Sequence, residues 1–220
     1  MEWSLVLDNA PRLAAGLVRT LELCALAALA SLLIGAVLTA AHLRGGTVLR
    51  YLASFYTALC LGLPLLIIIY ILFYALPVYG LTLSPEVVGV CALAIYYGPY
   101  VAEVVRGAIL ALPVGQFDAA TSIGLPLLRT VWRIMLPQAL PLMLPPLVGL
   151  MIGLIKDSAL LSVVSVPEFM FFAKQAVSDT YAPIEIYVTV ALTYWALNAS
   201  CAAVANWMER RLTQFSSEHS

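Results

Sequence analysis

Apolar residues in this chain come in long blocks rather than at amphipathic or alternating spacing. Five blocks approach the ~20 residues that a helix needs to cross a bilayer. They are Thr20 to Leu43, Tyr51 to Leu76, Val87 to about Leu110, Ile134 to Ile155 and Ile186 to Met208. The pattern predicts an all-α membrane protein with five transmembrane helices. Glu22 stands near the start of the first block, the second carries no charge, and the third crosses Glu103 and Arg106 near its far end. The fourth is crowded by Pro137, Pro141, Pro145 and Pro146. Interior prolines remove backbone hydrogen bonds. Irregular backbone at membrane depth survives only where protein or a water-lined cavity covers it. The first half of this block is therefore expected to be irregular and to face the protein interior. Ala159 to Val166 is apolar but too short to cross, and it ends at Pro167-Glu168; it reads as a re-entrant or outer-leaflet piece. Val177 to Pro183 reads as a polar outer loop and Glu209 to Ser220 as a short tail.

Composition sharpens this picture. The chain is 63% hydrophobic and 10% charged, against about 25% charged in soluble domains, so the bilayer is its solvent. A net charge of -1 gives no case for nucleic acid. Cys24, Cys60, Cys91 and Cys201 lie in apolar stretches with no CxxC or Cys/His cluster, so they read as reduced packing residues. Met1 to Arg19 lacks the basic n-region of a cleavable signal peptide. The 220 residues read as a single transmembrane domain. Five spans put the two ends on opposite sides. With the C-terminus inside, Arg44, Arg50, Arg106, Arg129, Arg133, Arg210 and Arg211 are inside. Arg12, Arg19, Lys156 and Lys174 are then outside or in the membrane. The lysine/arginine bias favours a cytoplasmic C-terminus and an N-terminus outside.

The loop between the third and fourth blocks carries the chemistry. It reads Asp118-Ala119-Ala120, three residues, Gly124, nine residues, then Ile134-x-Leu136-Pro137. A short helix, Gln116 to Ile123, is expected after Gly115. Asp118 falls in its first turn, where the helix dipole stabilises a carboxylate by about 0.3–1 kcal/mol. Ala119 and Ala120 are small enough for a partner surface to approach closely. Gly124 suits the left-handed residue that ends a helix, and Leu125-Pro126 turns the chain. Such a knob can sit in a groove and transmit a rigid-body push.

This spacing resembles the EAA loop of bacterial ABC-importer permeases, Glu-Ala-Ala-x3-Gly-x9-Ile-x-Leu-Pro, with Asp118 in place of the glutamate. The likeness extends over about residues 16–212. Thr20 to Leu23, Tyr97 to Gly107, Leu136 to Leu140, Leu144 to Pro146 and Lys156 to Glu168 are similar to the polar amino-acid subfamily, whose members import histidine, arginine, glutamine, opines and similar solutes. The resemblance implies a bacterial plasma (inner) membrane permease core of five helices, with the cytoplasmic coupling helix between the third and fourth spans. It implies two ABC ATPase subunits, a second permease and an extracytoplasmic solute-binding protein. No cofactor is expected on this chain, ATP and Mg belonging to the ATPases. Gln116, Asp118, Ala119, Ala120, Ile123, Gly124, Leu125 and Pro137 are then the ATPase-coupling residues. One departure stands out. Where this family usually has Arg-Gly-Thr-Pro-Leu-Leu, this chain has Leu61-Gly62-Leu63-Pro64-Leu65-Leu66. Two polar groups near the pathway are lost, which favours a second, different permease over an identical copy.

The remaining candidates have two readings each. Lys156, Asp157 and Ser158 form a polar run after the proline-rich span. An intramembrane ionisable residue is a functional candidate, so Asp157 either meets the ammonium group of a solute or sits solvated at the outer surface. Tyr97 and Tyr100, with Tyr96, line a pathway or belong to an aromatic belt. Glu103 and Arg106 share a helix face; they form an ion pair that orients the coupling loop or, as favoured, serve as interfacial anchors, and Glu103 is also a pathway candidate. Glu22 faces the cavity or, as favoured, caps its helix. His42 reads as an interface residue, Asn198 and Asn206 as bridges between helices, and Arg210 and Arg211 as an anchor.

A secondary transporter or channel is the alternative, but no internal repeat of the kind those folds carry is visible. An intramembrane enzyme would need a nucleophile–base pair or metal ligands. His42 and His219 are the only histidines, with no metal-spaced companion. There is no Gly-x4-Gly-Lys-Ser/Thr phosphate loop, so ATP hydrolysis is expected on partner chains.

Overall fold

The computed structural model describes residues 3–217, and the side chains of these except 114, 209 and 211–217. All regular structure among them is helical. The order is α1 (Ser4–Arg44), α2 (Thr47–Gly62), α3 (Leu65–Tyr70), α4 (Pro85–Leu110), α5 (Val114–Ser122), α6 (Leu127–Thr130), α7 (Leu136–Asp157), α8 (Phe169–Thr180) and α9 (Pro183–Ser217). A π turn (Ile71–Ala75) and a 3-10 turn (Leu76–Tyr79) extend α3, a π turn (Val131–Met135) joins α6 to α7, and a 3-10 helix (Ser158–Val164) follows α7. Among the described residues four helical stretches are long and apolar enough to cross a membrane, and the bent pair Thr47–Gly62 and Leu65–Tyr79 brings the number to five if it counts as one span.

The third block falls where expected, because Ser84 accepts the Val87 N–H and Pro85 opens the helix, a start that suits proline's missing donor. The other blocks differ instructively. α1 begins sixteen residues before Thr20, so Glu22 is mid-helix and caps nothing. The second span is not continuous: α2 and the helix after it meet at 106°. Leu63 and Pro64 are extended there, since proline pushes its predecessor out of helical backbone and cannot donate. The fourth block is the reverse. Its prolines were expected to disrupt it, yet α7 runs unbroken through Pro141, Pro145 and Pro146. Pro137 lies inside one continuous helical stretch, Leu127–Val164, and the π turn immediately upstream is the kind of local adjustment that accommodates prolines in membrane helices. Nor does its first half face wholly inward: Ala139 and Met143 are buried, while Pro137 and Pro146 are exposed. The first four residues of the expected outer loop, Val177 to Thr180, end α8 and Pro183 already opens α9, while the expected tail continues α9 to Ser217. His219 and the side chain of Arg211 lie outside the described residues.

α1 and α4 form the spine. They pack closely because a β-carbon on Gly35 would collide with Val101, and one on Gly98 with Ile34. The main core joins Cys24, Ala27, Leu93 and Leu154 to Leu161 and Val164 of the 3-10 helix. That 3-10 helix is thus a packed wedge that does not cross. α9 is the least buried long helix, and Leu192, Trp195, Val204 and Trp207 point away from the bundle.

Candidate functional site

Two polar regions lie at opposite ends of α1. At the Arg44 end, α5 starts after an extended Pro113, two residues earlier than expected. Gly115 is therefore inside the helix and Asp118 lies beyond the first turn. The dipole effect fades within that turn, so the expected stabilisation of Asp118 does not apply. The end of α5 is as expected. Gly124 is left-handed (φ 70°), its N–H donates to Thr121 O (3.0 Å) and the Leu125 N–H donates to Ala120 O (3.0 Å). This paired closure is the Schellman arrangement. Ala119 is exposed while Ala120 is buried, so the two alanines do different things: only Ala119 is free to meet a partner. Gln116, Asp118 and Ile123 are exposed, Leu125 is half-buried, and Pro126 starts α6.

The second region surrounds the end of α7. The Tyr97 hydroxyl donates to Asp157 Oδ2 at 2.8 Å, tying α4 to α7. The Tyr100 hydroxyl donates to that of Tyr96 at 3.2 Å, and the three rings cluster with centroids 5.3–6.0 Å apart. Asp157 is half-buried, and the ion pairs found among the described residues do not involve it. Its two neighbours diverge. Lys156 is exposed. Ser158 is fully buried and its Oγ donates to Ile155 O, so it faces the core and not a pathway.

Other candidates resolve into structural roles. Glu103 pairs with Arg106 along one face of α4. Glu22 pairs with Arg19 at 2.9 Å in the open. His42 bonds Leu38 O and reaches Ser54 on α2. Asn198 donates within its own helix, to Tyr194 O, and its Oδ1 is buried without a partner; Asn206 is exposed. Neither bridges helices as expected.

Glu168 is a feature the motif contained but whose role was not read. Fully buried, it caps α8 by accepting the Met170 and Phe171 N–H groups (2.9 and 2.7 Å). It also accepts the Thr20 hydroxyl, while Thr20 accepts the Phe169 N–H. This joins α8 to α1. Glu168 lies between the fourth and fifth spans, and burial pushes its carboxyl up to about 7, against the lowering effect of the Met170 and Phe171 donors. The signal was available: Glu168 follows a proline and opens an apolar face of Phe169, Ala173 and Ala176.

Residues 31–214 match the family described as the binding-protein-dependent transport system inner membrane component. The chain is 30% identical to the probable amino-acid ABC transporter permease protein YckA of Bacillus subtilis, covering 96% of this chain and 93% of that one. It is 32% identical to the L-cystine transport system permease protein TcyB of the same organism, covering 97% and 92%. A solved chain from an amino acid ABC transporter with histidines superposes with a TM-score of 0.88 at 29% identity, covering 96% of this chain and 99% of that chain.

Proposed function

This chain belongs to the family of binding-protein-dependent transport system inner membrane components, and from that premise we propose how it works. It is a membrane-embedded permease subunit of an ABC importer for amino acids, a transport subunit rather than an enzyme. Within that class its N-terminus lies outside and its C-terminus in the cytoplasm. α5 is the coupling helix, docking on an ATPase that binds ATP and Mg. Two ATPases, a second permease and an extracytoplasmic solute-binding protein complete the machine. The observation that carries the coupling reading is a mostly exposed nine-residue helix closed by a left-handed glycine, with a buried alanine on its inner side.

The test is Gly124→Val. A left-handed backbone costs a side-chain-bearing residue about 1–2 kcal/mol, and a β-branched one more. The variant is expected to reach the membrane at the normal level but to lose ATPase co-purification or solute-stimulated hydrolysis. A Gly124→Val complex that assembles and transports normally rejects the coupling role. Topology is read by labelling cysteines placed at Ser122 and Ser178: the first reacts only from the cytoplasm, the second only from outside. The reverse pattern rejects the orientation.

Solute contact is placed at Asp157 with Tyr97 and Tyr100. A half-buried intramembrane carboxylate with no cation partner among the described residues favours a positively charged group, such as the α-ammonium of an amino acid. The apolar Leu61 and half-buried Leu63 at the bend support a different second permease with more of the polar contacts. Native mass spectrometry of an active complex showing two copies of this chain and two ATPases would reject the heteromer.

A further inference from the structure

We propose that Arg44 is a positioning residue that braces α5 against the end of α1, so that α1 carries the state of the α8 face to the face where the ATPase docks. This rests on the coupling reading of α5 above.

α5 needs such a brace. A cavity of about 330 Å³ separates it from the bundle, lined by Leu43, Arg44, Ile109, Gln116, Phe117 and Gln138. Among its described side chains Ala120 is the buried one. Across the gap the Arg44 guanidinium stands 5.4 Å from the centroid of the Phe117 ring, inside cation–π range. Arg44 is the last residue of α1, where a cation is favoured by the helix dipole. A planar guanidinium lies flat on a ring, whereas an ammonium meets it only as a compact, strongly hydrated point charge.

The other end of α1 is equally committed. Its 41 residues reach about 60 Å at 1.5 Å per residue. Near the start, Gly16 lies so close to α8 that a β-carbon there would be 2.7 Å from Phe172 and 2.9 Å from the Phe169 Cα. Thr20 is bonded to Glu168 and Phe169. A displacement of α8 is therefore delivered along α1, and Arg44 hands it to α5. Arg44 as a mere positive-inside anchor would make no use of Phe117.

The test uses the full complex in vesicles with its binding protein and solute. Arg44→Ala, Arg44→Lys and Phe117→Leu should each reach the membrane normally and bind ATPase. Each should lower the ratio of solute-stimulated to basal hydrolysis by about threefold, the scale of an exposed cation–π contact. The Arg44→Ala, Phe117→Leu double variant should be no worse than either single change, and Phe117→Trp should retain the ratio. Additive losses, or unchanged ratios at normal membrane level, overturn the brace. So does a normal Arg44→Lys beside an Arg44→Ala that fails only in membrane level, which leaves an anchor. Gly124→Val run in parallel separates the two readings. If it is normal, the coupling role falls and the brace with it. If it is defective while the Arg44 variants are normal, only the brace falls.

Discussion

The two ends of α1 are finished in opposite ways. At the α8 end the chain satisfies itself: a buried carboxylate caps α8, bonds Thr20, and sits beside a glycine pressed against two phenylalanines. At the α5 end most of the short helix is exposed, a cavity lies beneath it, and one guanidinium reaches across. Both ends carry polar groups, so polarity does not distinguish them. What differs is whether the partner groups are in this chain. The first end is a joint within the subunit, and the second is the kind of surface a partner completes.

The sharpest way to break this comparison is to make one substitution at both ends. Gly16→Leu must displace the backbone of α8, so membrane level and detergent stability should collapse. A β-carbon on Gly115 would meet nothing within 4 Å, so Gly115→Leu should leave membrane level intact while reducing ATPase co-purification. Equal damage at both sites, or none at Gly16, would erase the distinction.

Removing the joint's own carboxylate comes next. Glu168→Ala deletes a helix cap, costing about 0.5–2 kcal/mol, and strands the Thr20 hydroxyl, costing about 1–3 kcal/mol. A melting midpoint within a degree of wild type would show that the joint contributes little.

Asp157→Asn tests the neighbouring polar cluster without touching the joint. The solute concentration for half-maximal transport should rise about tenfold, equivalent to about 1.4 kcal/mol, with assembly and basal hydrolysis unchanged. An unaltered transport curve would leave Asp157 a surface residue.

A smaller effect is a pH dependence of stability. The Glu168 carboxyl is raised to about 7 from its ordinary 4.5, so the folded chain holds this proton more tightly than the unfolded one. Its contribution is complete below about 4.5 and is lost as pH rises through about 7. The detergent melting midpoint should fall over that window, and Glu168→Gln should remove this component. The smallest effect is at Arg12. It pairs with Asp179 at 3.1 Å, and both side chains are about 60% exposed, so Arg12→Ala should cost at most about 1 kcal/mol. A larger loss would mean the α8 joint depends on charge as well as packing.

Much of the molecule was legible from residues alone. Block length and charge scarcity gave a membrane protein with up to five spans, because bilayer thickness sets how many apolar residues a helix requires. The Asp118 to Pro137 spacing located the exposed loop helix, and Gly124 gave its left-handed end, because that conformation is a local property of a residue without a β-carbon. Local rules were weaker where tertiary contacts compete. The same proline signal stood at Pro64 and across Pro141 to Pro146, yet the chain breaks at the first and stays helical through the second. The spacing puts Asp118 in a first turn, yet the helix begins earlier, at Val114, since helix starts are set by caps and neighbours as well as by propensity. The polar run Val177 to Pro183 reads as loop, yet its first four residues end α8, whose twelve residues are held helical by packing on α1.

The sequence by itself determined the class of solvent, the apolar stretches able to cross it and the place of the exposed loop helix, since each follows from composition or local conformation. Only the tertiary structure decided which polar groups meet. Tyr97 and Asp157 are 60 residues apart, Thr20 and Glu168 148, and Arg44 and Phe117 lie on different helices. No periodicity encodes such pairs: they exist because close helix packing, set by small residues such as Gly16 and Gly35, brings those side chains within reach.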